Sequence, residues 1–290
     1  MIYAFLTILW GGYALMPPQP VHSVAVGTGV GVVAEYRPAT GRFFFRRASE
    51  RDSFPVRIGS VVQAGDMITL PAGASVTIQL TTGKTVVFLP GTSVVPEAPS
   101  LTEWVASIFR TVPSLVDPEY RQSRTAASRG GESCGPGDRP APIDVPTVAS
   151  GAKIVAGTRD LPIVWNGGCA PFIVALVRGA DTISIKRDVN TRQTRLDSVR
   201  LVVARYALRV TDRTGNGFEA SLEGASSAPS APEEIRRDTS ALGVIAQAVW
   251  LLEADGGRWR FDAFEMLRPL VRQRNPLAGV IADGILWGRD

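Results

Sequence analysis

Short runs of alternating apolar and polar residues, each closed by turn-forming residues, dominate residues 30–95. In residues 75–80 apolar side chains occupy every second position, which is the period-two pattern of a half-buried strand. A turn at 81–84 follows, and a second apolar run returns over 85–89, so this segment predicts a β-hairpin. Several such strands at close spacing restrict the fold to a small all-β sandwich or barrel.

A glycine-aspartate pair predicts a second tight turn between short strands. Gly65-Asp66 suits a bend, because glycine tolerates a positive φ and a short carboxylate can bond to its own backbone. Short strands are predicted on both sides of it, at 59–62 and 67–69.

The order of these pieces resembles the FecR-like domain of bacterial envelope proteins. That family has a hydrophobic strand and a glycine, a GD turn, an alternating strand, a hairpin turn and a strand that ends in proline. The matching pieces are 56–59, 65–69, 74–80, 82–84 and 86–90. The resemblance implies a β fold and a location in the cell envelope. Its best-known members are transmembrane sensors whose cytoplasmic segment controls a sigma factor.

An apolar segment opens the chain. Residues 2–16 are apolar or small except Thr7, which is too short for a bilayer span of about 20 residues but suits the core of a secretory signal. Small residues at 23–25 offer a cleavage site after Ala25. A cleaved signal, an uncleaved anchor with membrane association through the N-terminus, and a buried segment of the fold all remain open. The first two predict a periplasmic protein, or one anchored in the membrane and facing the periplasm.

The chain has two cysteines, Cys134 in a glycine-rich segment and Cys169 after a Gly-Gly pair. In an exported chain the two thiols can oxidise to a disulfide. Two unrelated free thiols are the alternative, because a sequence does not determine the distance between them.

The rest of the chain predicts a second β region and helices. Residues 150–224 contain short strand patterns with turns about every 8–12 residues, which predicts an Ig-like or fibronectin-III-like sandwich. Trp165 is expected in its core, and Tyr206 as a corner tyrosine. Apolar residues at helical spacing from Leu101 predict one amphipathic helix, which a capping box from Ser100 would begin.

The predicted fold is therefore multidomain and mainly β. It consists of a small FecR-like β-sandwich or barrel, an Ig-like β-sandwich and a C-terminal α-helical hairpin that a third helix follows after Asn275-Pro276. The predicted units are a signal peptide or anchor at 1–25, the FecR-like domain at 26–98, the amphipathic helix at 99–120, a linker at 121–149, the Ig-like sandwich at 150–224, a second linker at 225–232 and the helical hairpin at 233–290.

Composition favours a protein that is not an enzyme and binds no cofactor or metal. One histidine, His22, and two cysteines provide little for zinc sites or for hydrolases of the Ser-His-Asp or Cys-His type. Paired carboxylates, as in glycoside hydrolysis, remain the route to an enzyme, although nothing in the sequence brings two of them together. The candidates are Asp66, Glu97, Glu103, Asp181 and Asp188.

An arginine-aromatic cluster at 42–51 is the strongest indication of binding. Phenylalanines between arginines can stack on an anionic polymer and pair with it. The predicted anionic-ligand patch is Arg42, Phe44, Arg46, Arg47 and Arg51. The alternative is a strand with one buried phenylalanine face and an arginine-rich loop after it. A net charge of +4 on 290 residues is too dilute to indicate nucleic acid, so envelope polysaccharide or lipid head groups are preferred.

These features predict a non-enzymatic, exported envelope protein that acts as a binding or scaffolding adaptor. Its partner would be an envelope protein or an anionic envelope polymer, and not nucleic acid. A membrane-anchored sensor of the FecR type is the first alternative, and a carboxylate-dependent hydrolase is the second.

Overall fold

The computed structural model describes residues 29–38, 42–47, 53–101, 103–113, 134, 140–148 and 151–287. These residues form two groups of β-strands and a C-terminal group of helices, so the described chain is mainly β. The predicted signal or anchor at 1–25, which includes His22, lies outside the described residues, as does Arg51.

The first β unit is a sandwich of two antiparallel four-stranded sheets. Its strands are β1 (Gly29–Arg37), β2 (Phe44–Arg46), β3 (Ser53–Pro55), β4 (Val61–Gln63), β5 (Met67–Leu70), β6 (Ser75–Leu80), β7 (Thr85–Phe88) and β8 (Gly91–Val94). The helix-covered sheet has the order β4-β1-β6-β7, and the outer sheet has the order β3-β2-β5-β8. Buried residues such as Val33, Phe45, Ile68 and Ile78 fill the space between the two sheets. The predicted hairpin is confirmed as β6 and β7.

The glycine-aspartate turn is confirmed in detail. Gly65 has a φ of +82°, and the backbone N–H of Gln63 donates to Oδ2 of Asp66 over 2.8 Å. The FecR resemblance implies a strand at 56–59. This prediction is wrong, because β3 ends at Pro55 and β4 begins at Val61. Gly59 sits in a turn with a φ of +86°, and its close packing on Val112 leaves no room for a Cβ.

One short helix covers part of this sandwich. Within the described residues, helix α1 (Glu103–Phe109) is shorter than the predicted segment at 99–120. The buried side chains of Val105 and Phe109 belong to the same apolar cluster as Val32 of β1. The helix therefore packs on the preceding β unit.

The second β unit is also a sandwich, and its topology is Ig-like. Its strands are β9 (Ala152–Val155), β10 (Gly157–Val164), β11 (Phe172–Arg178), β12 (Asp181–Val189), β13 (Gln193–Leu201), β14 (Arg205–Thr211) and β15 (Gly217–Ala225). Strands β10 and β13 form one sheet, and the other has the order β12-β11-β14-β15-β9, with β9 parallel to β15.

Two aromatic residues hold the expected positions in this unit. Trp165 is fully buried and packs edge-on against Phe172, with ring centroids 5.0 Å apart. The hydroxyl of Tyr206 accepts a hydrogen bond from the N–H of Val202 at 2.7 Å, which is the bond of a tyrosine corner. Both predictions are confirmed.

The predicted first linker extends too far. Residues 140–148 belong to the second sandwich, because Ile143, Val145 and Val148 are buried in its core. Asp144 pairs with Asn166 in an isolated antiparallel bridge. Removing these three apolar side chains from water lowers the free energy of the fold, whereas a linker would leave them exposed.

Four α-helices and one short 3₁₀ helix (Ala254–Gly256) end the described chain; the α-helices are α2 (Glu233–Arg236), α3 (Ala241–Glu253), α4 (Arg260–Arg272) and α5 (Pro276–Trp287). The hydroxyl of Ser240 accepts the N–H of Gly243 at 3.1 Å and so caps the N-terminus of α3. The predicted break at Asn275-Pro276 is confirmed by the start of α5. The predicted hairpin and the third helix that follows it are therefore confirmed as α3, α4 and α5.

The C-terminal helices contact both sandwiches. Helices α3, α4 and α5 share one apolar cluster with α1 and with Val32 and Ala34 of β1. Phe261 of α4 is buried in the core of the second sandwich. The predicted second linker is partly held in place, because Ala228 and Ala231 pack against the helical cluster. The helices therefore join the two β units.

Candidate functional site

Strand β2 separates the buried phenylalanines of the arginine-aromatic cluster from the exposed members of the predicted patch. Phe43 and Phe45 are buried in the sandwich core, whereas Phe44, which is 51% exposed, and Arg46 lie together on the outward face of the sheet. This arrangement follows from the alternation of side chains along a strand. Arg42 is also exposed, just before the strand.

Arg47 lies in a groove between the outer sheet and α1. The groove has a volume of about 440 Å³, which is within the usual range for ligand pockets. Three arginines reach it from separate segments: Arg47 after β2, Arg57 in the loop before β4, and Arg110 at the end of α1. We call this cavity the arginine groove. Its apolar lining includes Phe54, Pro55, Val61, Phe109 and Pro113.

The charge of the arginine groove is predominantly positive. The guanidinium of Arg47 lies over the ring of Phe54, 4.7 Å from its centroid. Arg57 and Arg110 are exposed, and their side chains form no ion pair within the described residues. One carboxylate, that of the buried Asp66, also lines the groove and accepts a backbone N–H. Three guanidinium groups against one carboxylate favour an anionic ligand.

The exposed side of the outer sheet adjoins the groove. The register places Arg46 beside Met67, and Met67 beside Val94, in one row across the strands. Phe44 lies beside Pro55, which also lines the groove. We call this surface the sheet face; it consists of Ser53, Pro55, Phe44, Arg46, Met67, Thr69, Thr92 and Val94.

The carboxylates proposed for an enzyme lie in different parts of the molecule. Asp66 is buried at the turn of the first sandwich, whereas Asp181 and Asp188 are exposed on β12 of the second. Glu97 and Glu103 are exposed as well. Within the described residues, no group of three histidine, cysteine or acidic side chains is arranged to hold a metal ion. Nor does any described helix have the length and apolar character to cross a membrane.

The structure joins Cys134 and Cys169 in a disulfide, the pairing that the sequence left open. Arg213 donates to the carbonyl of Cys134, and Asp212 accepts the N–H of Cys169 at 2.9 Å. Burial raises the pKa of Asp212, but hydrogen bonds from Thr214, from Cys169 and from Asn216 outweigh this, so the pKa lies below its usual value. The turn between β14 and β15 therefore holds the disulfide with an ionised carboxylate.

Sequence analysis did not find two of the three groove arginines. Arg57 and Arg110 are 53 positions apart and belong to a loop and a helix that the fold brings together. The available signal was the position of Arg110 at the end of the amphipathic helix, where a basic residue also suits the helix dipole.

No protein-family model matches the chain, and no curated protein matches it. Among solved structures, the chain has weak likeness to the fibronectin(III)-like modules of Clostridium thermocellum CbhA, with 9% identity and a TM-score of 0.20 over 68% of this chain and 77% of that one. It also has weak likeness to DIP-gamma IG1+IG2, with 10% identity and a TM-score of 0.18 over 69% of this chain and 90% of that one.

Proposed function

We propose that this chain is a non-enzymatic, exported protein of the bacterial cell envelope that acts as a binding or scaffolding adaptor. Its ligand is an anionic component of the envelope. In this proposal the first sandwich is a FecR-like domain and the second is an Ig-like domain. The observation that carries the proposal is the convergence of Arg47, Arg57 and Arg110 on one groove.

The groove suits binding better than catalysis. Arginine pairs with phosphate and carboxylate groups through a planar fork of donors, and it remains charged at every physiological pH. The apolar lining lowers the local dielectric, which strengthens such pairs. A scaffolding role is supported by the helices that join the two sandwiches, because they present the groove at a constant position relative to the second β unit.

The test removes the three groove arginines together. We expect Arg47→Ala, Arg57→Ala and Arg110→Ala in one variant to bind polyphosphate about 100-fold more weakly than the unchanged chain, because two or more charge-assisted hydrogen bonds are lost. Polyphosphate is a suitable probe because it offers anionic groups and little else. Binding is measured by titration calorimetry at about 0.15 M ionic strength, where exposed charges more than about 8 Å apart are largely screened.

The matched control carries the same loss of charge elsewhere. Arg187, Arg200 and Arg205 are exposed on the second sandwich and form no ion pair among the described residues. Their triple alanine variant should bind polyphosphate within about threefold of the unchanged chain, because distant exposed charges are largely screened. Equal losses in the two variants would show a general charge effect and would contradict the proposal.

A further inference from the structure

We propose that the ligand of the arginine groove is an acidic polysaccharide, and that its chain continues from the groove across the sheet face. This inference rests on the proposed function and extends its site to a second surface. It starts from the continuity of the two surfaces, since Pro55 lines the groove and lies beside Phe44 on the sheet face.

The size of the surface indicates a polymer. The sheet face crosses four strands, from β3 at one edge to β8 at the other. Three strand spacings amount to about 14 Å, in addition to the length of the groove. A small anion could make all its contacts within the groove, whereas a polymer chain can contact both the groove and the sheet face at once.

The charge of the sheet face complements an acidic chain. Its one charged side chain is Arg46, which is exposed and donates a hydrogen bond to the sulfur of Met67 at 3.5 Å. None of the eight residues of the sheet face is acidic. An acidic polymer therefore meets cations in the groove and a further cation on the sheet face. No acidic side chain of the sheet face repels it.

The other side chains of the sheet face fit sugar rings. Phe44 offers an exposed aromatic ring on which the apolar face of a sugar can pack. The hydroxyl groups of Thr69 and Thr92 lie 3.0 Å apart on the same face and can both donate and accept hydrogen bonds. These hydroxyls would lose their hydrogen bonds to water against acyl chains, so the face favours a sugar polymer over a lipid surface.

The test compares a sugar polymer with a polyanion that has no sugar. Phe44→Ala should bind polygalacturonate about fivefold more weakly, which is the range for one aromatic contact, and should bind polyphosphate unchanged. The fold should tolerate the change, because the ring is 51% exposed. Val203→Ala is the control, because Val203 is 66% exposed on the second sandwich and should alter neither affinity.

Each remaining outcome separates this inference from the proposed function. If the unchanged chain binds polyphosphate but not polygalacturonate, or if Phe44→Ala binds polygalacturonate normally, the inference is overturned and the proposed function stands. If Phe44→Ala loses binding to phosphatidylglycerol vesicles instead, a lipid surface occupies the face and the inference is again overturned. If the groove variant keeps its polyphosphate affinity, the proposed function itself fails.

Discussion

Replacing Asp262 with alanine should lower the free energy of unfolding by about 3–5 kcal/mol, the cost of breaking a buried ion pair from one side. Asp262 of α4 is 8% exposed. Its Oδ1 accepts a hydrogen bond from Nη1 of Arg159 at 2.6 Å, and its Oδ2 accepts the N–H of Val155 at 3.0 Å. The substitution leaves the guanidinium of Arg159 without its carboxylate partner and the N–H of Val155 without its acceptor, so the loss exceeds that of one neutral hydrogen bond.

The measurement is urea unfolding followed by circular dichroism, with Asp197→Ala as the control. Asp197 also pairs with two cations, at 2.9 Å from Lys186 and 2.7 Å from Arg195, but its side chain is 46% exposed. Exposed pairs contribute little, so this control should lose only a small fraction of what Asp262→Ala loses. Similar losses in the two variants would contradict the anchoring role of Asp262.

Other contacts beside Asp262 also attach this end of α4 to the second sandwich. The same end of α4 inserts Phe261 into the core of the second sandwich, and Arg258 donates to the carbonyl of Gly151 at 2.7 Å. The other faces of the helices pack on α1 and β1 of the first sandwich. Loss of Asp262 therefore weakens the connection between the two sandwiches on which a scaffolding role depends.

Replacing both cysteines with serine should lower the free energy of unfolding by about 3–4 kcal/mol, because the unfolded chain regains the freedom that the cross-link removes. The disulfide joins residues 35 positions apart. In the folded chain Cys169 is held by Asp212 and by the N–H of Arg213, which donates to its carbonyl at 3.1 Å. The fold of the second sandwich should therefore survive the substitution.

Thermal unfolding with and without reductant checks this second prediction. The unchanged chain should lose stability when reductant is added and should then match the Cys134→Ser, Cys169→Ser variant. The variant itself should not respond to reductant. The disulfide is contradicted if reductant does not change the thermal stability of the unchanged chain. Chemical titration of that chain, unfolded without reductant, would then find two free thiols.

Features that depend on neighbours in sequence could be predicted before the structure. The bend at Gly65-Asp66 needs only a glycine with positive φ and a carboxylate within reach of its own backbone. The burial of Phe43 and Phe45 with Phe44 exposed follows from the period of a strand. The cap by Ser240 needs only the three residues that follow it.

Features that depend on distant segments could not be predicted in the same way. No local pattern shows that Arg57 and Arg110 reach the groove in which Arg47 lies, because a loop and a helix far apart in sequence form its walls. Strand β9 could not be identified from its four residues alone, since it is stabilised by parallel pairing with β15, which lies at the other end of this unit in sequence. Residues 140–148 resemble a linker in composition, and only the second sandwich supplies the surface that buries them.

Hydrogen–deuterium exchange of the oxidised, full chain with and without polyphosphate tests the binding site most directly. Ligand in the arginine groove should slow exchange of backbone amides in residues 53–63 and 103–113, which form the walls of the groove. The second sandwich should exchange at an unchanged rate and so serves as the internal reference. Slower exchange confined to the second sandwich, or no change anywhere at saturating polyphosphate, would contradict the assignment of the groove as the site that binds anionic envelope components.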